Sequence, residues 1–538
     1  LGSKAFANCL NLTETNIPDG VRTVPVDLYQ GCSSLTKLTV GSGLTEMPDG
    51  FLSGKTNLNT LIFSDSDEPI KICDLALRHS SQFDTSITTV YMGRNFESTS
   101  IAKSLQNLTI GPKVTRISRI GESSISELKL GENVKEIAEN AFSASPIEKL
   151  EINSCLDVVY MDAFNPVKEV YVDKIEDWLR ISLYGTPLVT NSSYPFTPRL
   201  IVGGELLTEL VVPENITEIK HGAFKDYALL GKVALHDGVV SVGNYAFENC
   251  GLSELPLNKT LRRIGVRAFC GNNFKITELP DELDEIGEEA FARLECDQTL
   301  RVNATVIGKR AFYRVKPSTL ILGPRVMSVG EEAFLNDTYV TPNNKSTITE
   351  LVIEGSDSTI SFGNAVFAEH MDYFDVEKVS LGRNYSGEPF YNCRFLTDLT
   401  IGGALTEIPT GGFYLSTSLT TLRIGPSIKK IGDSFFRAPL KNIIFEDGPD
   451  PLEISYIGAI PNTDTPRELN TLYIGRNIKQ YHNPSYVPYW TEPMTTVGAA
   501  YTAIGRYVKS TNAAISGSLI RCFAYNPPRL NGKILKTN

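Results

Sequence analysis

The stretch Ser126–Phe142 reads SELKLGENVKEIAENAF and contains each feature that recurs along the chain. Its first part belongs to ISELKLG, Ile125 to Gly131, which has the form apolar-x-x-apolar-x-apolar-Gly. The last positions of this pattern alternate between apolar and polar residues, which is typical of a strand with one buried face. Gly131 ends the strand and frees the backbone to turn. The apolar pair Val134 and Ile137 follows, and an Ala-Phe dipeptide closes the unit. The stretch predicts one coil built from a short strand and turns.

The same unit recurs along the chain with a period of 21–23 residues. Successive aromatic residues after a small residue are Phe224, Phe247, Phe269, Phe291, Phe312 and Phe334, and a second run comprises Phe367, Phe390, Phe413 and Phe436. The strand pattern returns as LTKLTVG (Leu35–Gly41), LQNLTIG (Leu105–Gly111), LTDLTIG (Leu396–Gly402), LTTLRIG (Leu419–Gly425) and LNTLYIG (Leu469–Gly475). One such unit buries too little apolar surface to offset its ordering entropy, so the units must stack.

The period predicts a β-rich α/β solenoid, a right-handed superhelix of about twenty coils of about 22–23 residues. Short strands of adjacent coils form a parallel sheet, short helical or 3₁₀ turns connect them, and equivalent phenylalanines touch. Residues 1–480 form the solenoid, with an insertion at 168–206 and an extended loop at 336–347. Residues 481–538 form an irregular Tyr/Pro-rich segment and a terminal cap.

Composition limits the classes of partner. The net charge of −11 is spread along the chain, which disfavours nucleic acid and anionic membrane as partners because both require a basic surface. No run of about 18 apolar residues predicts a membrane span. Cys9, Cys32, Cys250 and Cys393 each follow an aromatic residue by three positions. A small thiol recurring in register is expected to fill the core, and a disulfide or metal framework is the less favoured alternative.

The unit quoted first resembles the BspA-like, or treponemal-type, leucine-rich repeats, and TELVVPENITEIKHGAF (Thr208–Phe224) is a second close copy in which Pro213 replaces the glycine. LIRCFAYNPPRL (Leu519–Leu530) resembles the terminal unit of that family. The resemblance implies an exported or surface-displayed protein without catalytic activity. It also implies adhesion to host or microbial proteins, such as fibronectin and fibrinogen, as a candidate role.

The sequence contains no motif that predicts a catalytic, cofactor or metal site. The five histidines share no repeat position, and no HExxH, GxSxG or GxxxxGK[ST] motif occurs. Distant coils can still bring reactive groups together in space, because catalytic groups need not be adjacent in sequence. The expectation is a non-enzymatic, monomeric protein with no cofactor.

The outward side of the strands is the first candidate site. Residues flanking the central apolar position of each strand point away from the core. A surface for an extended or basic protein partner is predicted from these positions: Glu127, Lys149, Glu169, Tyr171, Glu209, Lys232, Glu254, Glu278 and Glu350. The alternative is a solvated face whose charges discourage aggregation of the sheet.

Exposed aromatic residues are the second candidate site: Trp178, Tyr184, Tyr486, Tyr489 and Trp490. The segment Ile175–Ile181 is predicted to be a short helix carrying Trp178. For both tryptophans, packing over a core edge is favoured over an exposed platform for a peptide or sugar. Three functions remain open. The chain is an extracellular or cell-surface adhesin, a carbohydrate-binding surface module, or a spacer that projects another domain.

Overall fold

The structure is a computed structural model. It describes residues 1–480 except 74–75, 77–86, 99–104, 121–122, 165–166, 186–197, 255–256, 336–347, 365, 368–375, 388, 391–392, 409–412, 414–415, 433–437, 455–470 and 477, together with 521–524. The predicted loop at 336–347 and most of the predicted cap lie outside the described residues. The chain forms two compact units, Leu1–Pro256 (the N-terminal unit) and Leu257–Asn538 (the C-terminal unit).

Each coil of the N-terminal unit has a first strand of up to four residues and, in most coils, a shorter second strand. The elements are β1 Glu14–Ile17, β2 Lys37–Val40, β3 Glu46–Met47, β4 Thr60–Phe63, β5 Ile70–Ile72, β6 Thr89–Met92, β7 Phe96–Ser98, β8 Asn107–Ile110, β9 Arg116–Ile117, β10 Glu127–Lys129, β11 Glu136–Ile137, β12 Lys149–Glu151, β13 Val158–Val159, β14 Glu169–Val172, α1 Ile175–Leu179, β15 Ser182–Leu183, β16 Arg199–Val202, β17 Glu205–Leu206, β18 Glu209–Val211, β19 Glu218–Ile219, β20 Lys232–Ala234 and β21 Ser241–Val242.

The C-terminal unit continues the same alternation. Its strands are β22 Arg263–Ile264, β23 Lys275–Ile276, β24 Glu285–Ile286, β25 Glu295–Cys296, β26 Thr299–Val302, β27 Val306–Ile307, β28 Thr319–Leu322, β29 Ser328–Val329, β30 Glu350–Ile353, β31 Ile360–Phe362, β32 Lys378–Leu381, β33 Tyr385–Ser386, β34 Asp398–Ile401, β35 Glu407–Ile408, β36 Thr421–Ile424, β37 Lys430–Ile431, β38 Asn442–Phe445, β39 Leu452–Ile454, β40 Thr471–Ile474, β41 Ile478–Gln480 and β42 Arg521–Ala524.

First strands pair in parallel, in the register set by the repeat. In the N-terminal unit they form sheets of order β1-β2-β4-β6-β8, β10-β12-β14-β16-β17 and β18-β20, and in the C-terminal unit a nine-stranded sheet runs from β26 to β42. The antiparallel hairpin β16/β17 is an exception. In Lys37–Val40 the second and fourth side chains are buried and the other two are partly exposed, as the alternation predicts. The predicted parallel solenoid is confirmed, with about 16 turns, fewer than the twenty expected.

The phenylalanines form stacked columns, as predicted. In the C-terminal unit the ring centroids of Phe291 and Phe312 are 5.4 Å apart and those of Phe312 and Phe334 are 5.1 Å apart, with nearly parallel planes. In the N-terminal unit Phe142 and Phe164 stack at 5.3 Å. Phe436 lies outside the described residues. Each coil thus completes its core only against equivalent rings in the coils beside it.

The connections at the Ala-Phe position are isolated turns, and the expectation of short helical or 3₁₀ segments there is wrong. Ala311 N–H donates to the Gly308 carbonyl, and Phe312 N–H then donates to the Ala333 carbonyl of the next coil at 2.8 Å. Because the second bond goes to a neighbouring coil, the turn does not propagate into a helix. The helix Ile175–Leu179, which carries Trp178, agrees with the predicted segment.

The residue before each Ala-Phe pair adopts a left-handed backbone. Asn140 has φ 56°, Arg310 has φ 52°, and Gly222 occupies the same position with φ 66°. A Cβ atom at Gly222 would collide with the carbonyl oxygen of Leu183 in the preceding coil. Glycine is therefore required at this coil, whereas other coils tolerate larger residues.

Substitution Gly222→Ala is expected to lower the free energy of unfolding by about 2 kcal/mol, since it adds the left-handed backbone penalty to a collision with main chain. Urea titration followed by circular dichroism measures the effect. Asn140→Gly, at the equivalent position, serves as the control and is expected to change stability by less than about 1 kcal/mol. Equal effects of the two substitutions would contradict the assignment of strain to Gly222.

Three buried arginines bind backbone carbonyls two coils back. Arg94, which follows β6, donates from Nη1 to the carbonyls of Ser42 and Leu44 at 2.7 and 2.9 Å and from Nη2 to that of Gly41 at 2.9 Å. Arg383 and Arg476 make equivalent bonds in the C-terminal unit. Each arginine follows a strand in a Gly-Arg-Asn sequence, and this recurring triplet is the sequence signal for the buried arginines.

The intervening coil explains why these arginines reach so far. Measured between residues paired in register, Phe63 to Ile72 spans nine positions, whereas Val40 to Met47 spans seven. The coil with β18 has the shorter span, since Val212 and Ile219 are seven positions apart. There a side chain of the next coil binds the carbonyls: His236 contacts those of Pro213 and Ile216 at 3.0 Å each. Burial lowers the pKa of the Arg94 guanidinium. The long side chain thus supplies donors that the longer-looped coil does not.

The cysteines fill the core in three of the four predicted places. Cys32, Cys250 and Cys393 are buried, whereas Cys9 is exposed. The Cys250 thiol donates to the Phe224 carbonyl at 2.7 Å, and burial raises its pKa well above the ordinary value. A buried thiol that is held protonated and donates to a neighbouring coil acts as packing and not as a nucleophile.

Candidate binding faces

The outer face of the N-terminal unit consists of the exposed positions of its first strands. Parallel register aligns Glu127, Lys149, Glu169 and Arg199 in one column. Lys129, Glu151 and Tyr171 form the second column beside it, which ends at the buried Ile201. Of the predicted residues here, Glu127 is exposed and Lys149, Glu169 and Tyr171 are half-buried. The strands therefore place these four predicted residues on one surface.

Charges on this surface neutralise one another. Lys149 Nζ lies 2.9 Å from Glu151, and Arg199 lies 2.9 Å from Glu169. The Lys149 ion pair lowers the pKa of Glu151, mainly through a side-chain hydrogen bond. Acidic Glu127, Glu151 and Glu169 alternate with basic Lys129, Lys149 and Arg199, so this stretch carries no net charge.

Tyr171 occupies the centre of the network. Its hydroxyl donates to Glu169 Oε2 at 2.7 Å, and the Lys149 ammonium lies 4.9 Å from the centroid of its ring. Hydrogen bonding to the ionised Glu169 raises the pKa of the Tyr171 hydroxyl. The surface around it offers a fixed aromatic ring framed by paired charges, an arrangement suited to polar recognition with little side-chain entropy to lose.

The next coils of the N-terminal unit are more open. Glu209, Lys232 and Glu254 are all exposed, with Glu209 opposite Lys232 in the strand register. Lys232 Nζ and Glu254 are 3.9 Å apart, a loose contact that contributes little at such exposure. These three residues remain accessible to a partner.

In the C-terminal unit, Glu278 is exposed and Glu350 is half-buried. Glu350 pairs in register with Thr319 and Lys378. Near it, Arg301 bridges Asp281 and Glu354, with the Glu354 contact at 3.0 Å. Charged side chains thus also lie along the strands of this unit, and some of them form ion pairs.

Trp178 does not form part of an exposed aromatic patch. It is 5% exposed, and its indole N–H donates to the Ala223 carbonyl at 2.9 Å. The favoured interpretation, packing over a core edge, is correct for this residue, and its place among the exposed patch residues is wrong. Tyr486, Tyr489 and Trp490 lie outside the described residues.

Tyr184 belongs to an aromatic stack that the sequence analysis missed. It is 41% exposed and stacks on Tyr160 at 5.6 Å and on His221 at 4.5 Å. His221 meets Tyr245 at 5.4 Å, and the Lys225 ammonium lies 5.0 Å from the centroid of the Tyr245 ring. All four rings come from turns that follow second strands. The insertion lengthens the distance in sequence between Tyr184 and His221, so the repeat period does not align them. Tyr184 is therefore stacked between Tyr160 and His221.

Clusters that could hold a metal ion and helices that could span a membrane are both absent from the described part of the chain. No set of three or more His, Cys, Asp or Glu side chains among those residues is arranged to hold a metal ion. Within the same residues, no helix has the length and apolar character needed to cross a membrane.

Comparison with known proteins identifies the repeat. The family described as BspA type Leucine rich repeat region (6 copies) matches residues 1–120, 96–179, 204–299 and 342–458. A comparison with curated proteins found no match.

Solved structures with some likeness include other repeat proteins. A leucine-rich repeat protein from Bacteroides ovatus is 20% identical, over 51% of this chain and 84% of that chain, with a TM-score of 0.26. The pneumococcal vaccine antigen PcpA is 16% identical, over 70% of this chain and 85% of that chain, with a TM-score of 0.32. At such low TM-scores, nothing about this protein's function is inferred from these structures. The family match covers most of the chain and coincides with the stacked coils, so the protein belongs to the BspA-type leucine-rich repeat family.

Proposed function

We propose that the protein is a non-catalytic, exported adhesin or interaction scaffold that binds a protein partner through the outer faces of its first strands. The observation that carries the proposal is the register of Glu127, Lys149 and Glu169 beside Lys129, Glu151 and Tyr171, which aligns polar side chains along a parallel sheet. Proteins of this family are typically found at the cell surface and generally bind without catalysis.

The paired charges favour a partner of mixed polarity. A basic partner was expected from the acidic residues alone, but Lys149 and Arg199 already occupy two of the carboxylates between residues 127 and 202. Breaking a formed ion pair to bind a cation costs desolvation that the new contact must offset. An extended segment carrying hydrogen-bonding groups of both kinds fits this part of the face better.

A peptide-like partner is also favoured over a sugar. Pyranose rings stack on exposed aromatic faces, and among the described members of the predicted patch Trp178 is buried. The faces of Tyr184 are covered by Tyr160 on one side and His221 on the other. The Tyr171 ring lies beneath an ammonium group. Trp178, Tyr184 and Tyr171 therefore do not offer a sugar ring a broad, open aromatic face.

The triple variant Lys149→Ala/Glu169→Ala/Tyr171→Ala is expected to weaken binding to immobilised fibronectin or fibrinogen about tenfold or more. The reason is that a central tyrosine with its fixed neighbours is the type of residue that dominates interface energy. Biolayer interferometry with both probes measures the change in Kd.

The matched control is Lys135→Ala/Glu139→Ala, which alters exposed residues beyond the first strand of one of the same coils. It is expected to leave Kd within about twofold. Binding that survives the triple variant, with wild-type circular dichroism, would place the binding site elsewhere. If wild-type protein bound neither probe, the choice of these partners would be wrong.

A further inference from the structure

The stack of coils in the N-terminal unit is interrupted near the predicted insertion. One sheet of first strands ends with the hairpin β16/β17, and a separate sheet begins at β18. The sheet of second strands likewise ends at β15, Ser182–Leu183, and β19 starts at Glu218. The ladder of first strands and the ladder of second strands therefore both stop at this junction.

Side chains bridge the interruption. Trp178 donates to the Ala223 carbonyl at 2.9 Å, and the Tyr227 hydroxyl donates to the Leu207 carbonyl at 2.6 Å. At the edge nearer solvent, Leu183 N–H donates to the His221 carbonyl at 2.8 Å, and the Tyr184 ring stacks on the His221 imidazole. His221 therefore joins the two sides through both its backbone and its ring.

The surroundings of His221 oppose a positive charge. Tyr184 covers it from the preceding coil and Tyr245 from the following one. Lys225 already occupies a face of the Tyr245 ring, so a cation–π contact from an imidazolium would compete with it. Lys225 is held in place by Glu248, which lies 3.4 Å away and is buried. Glu218 and Lys220, which precede His221 in the same segment, pair with each other.

We propose that this junction is a pH-sensitive joint, in which protonation of His221 loosens the contact between the coil ending at Leu183 and the coil containing β19. Burial, and then repulsion from Lys225, lower the pKa of His221. At a pH just below the ordinary histidine pKa, His221 therefore binds fewer protons in the folded joint than in the opened joint. Its stability is complete above about pH 6.5 and declines as the pH falls below that value.

Hydrogen exchange on the full chain tests the joint. Between about pH 7.5 and about pH 5, corrected for intrinsic exchange, protection of peptides spanning 175–184 and 218–230 is expected to fall about threefold to tenfold. Peptides from 299–334 report any general loss of structure and are expected to remain protected. A uniform loss across all these peptides, or no loss at the joint, would overturn the proposal.

Variants separate His221 from other titrating groups. His221→Phe keeps an aromatic ring in the stack but has no titratable group, and it is expected to abolish the acid-induced loss of protection. The matched control His236→Asn removes another histidine of the same unit, and asparagine at Asn153 already makes an equivalent bond to the Gly131 carbonyl. This control is expected to retain the wild-type response. The same acid response in His221→Phe as in the wild type would overturn the proposal.

A second measurement does not depend on the folding of His221→Phe. In imidazole NMR of the wild type, His221 is expected to titrate below the ordinary histidine range, and Lys225→Met is expected to raise its pKa because the like charge is removed. A His221 titration that is unchanged by Lys225→Met and lies at the ordinary value would overturn the proposal.

Discussion

Truncation of Phe312 to alanine is expected to lower the free energy of unfolding by about 3–5 kcal/mol. The ring is fully buried between those of Phe291 and Phe334, with centroid distances of 5.4 and 5.1 Å. A cavity at this position removes contacts to two coils at once. Because coils in a solenoid are stabilised mainly by their nearest neighbours, the defect cannot be absorbed by a distant core.

Urea titration of the full chain, with hydrogen exchange of peptides spanning 291–334, measures this effect. Phe395→Ala is the control, since Phe395 is 39% exposed in the same unit and its truncation is expected to cost less than about 1 kcal/mol. Similar losses for the two variants would show that the phenylalanine column does not carry the stability assigned to it.

Substitution of Arg94 by methionine is expected to cost about 3–5 kcal/mol. Methionine fills part of the volume but leaves the carbonyls of Gly41, Ser42 and Leu44 without the donors that Arg94 supplies. Replacing both partners of a buried polar contact by apolar groups can be neutral, but backbone carbonyls cannot be replaced. The penalty of unsatisfied acceptors therefore applies to the Ser42 and Leu44 carbonyls, whereas the Gly41 carbonyl still accepts from Leu44 N–H.

Two comparisons isolate the guanidinium of Arg94. Arg94→Lys keeps the charge but not the fork of donors. In urea titration, Arg94→Lys is expected to lose a large part of the stability that Arg94→Met loses. Arg116→Met removes a half-exposed arginine paired with Glu136 and is expected to cost less than about 1 kcal/mol. An effect at Arg94 no larger than at Arg116 would contradict the structural role proposed for it.

The candidate face was predictable because it depends only on alternation within strands and on the period between them. Glu127, Lys149 and Glu169 had to align once coils stacked in register, and the structure aligns them. Their ionic partners were less accessible to sequence reasoning. Whether Lys149 pairs with Glu151 or with Glu127 depends on side-chain rotamers, which the strand pattern does not specify. The pairing determines which carboxylates on the surface are neutralised.

The aromatic stack shows where the periodic argument fails. Tyr160, Tyr184, His221 and Tyr245 occupy different positions of their units, and residues 185–220 separate Tyr184 from His221 in sequence. Spacing in sequence therefore gave no signal for their contact. Trp178 was placed correctly in a short helix. Its burial was not predictable, because its indole N–H donates to the Ala223 carbonyl, 45 residues away.

The amino-acid sequence alone determined the coil, its period, the buried phenylalanine column and the outward positions of the strands, because each follows from a local pattern repeated against its own copies. Only the tertiary structure decided what happens where copies differ: the reach of Arg94 across a longer loop, the burial of Trp178 and the position of His221 at the interrupted ladder. Those contacts join unlike residues of distant coils, and their free energies depend on distances and partners that no repeat pattern specifies.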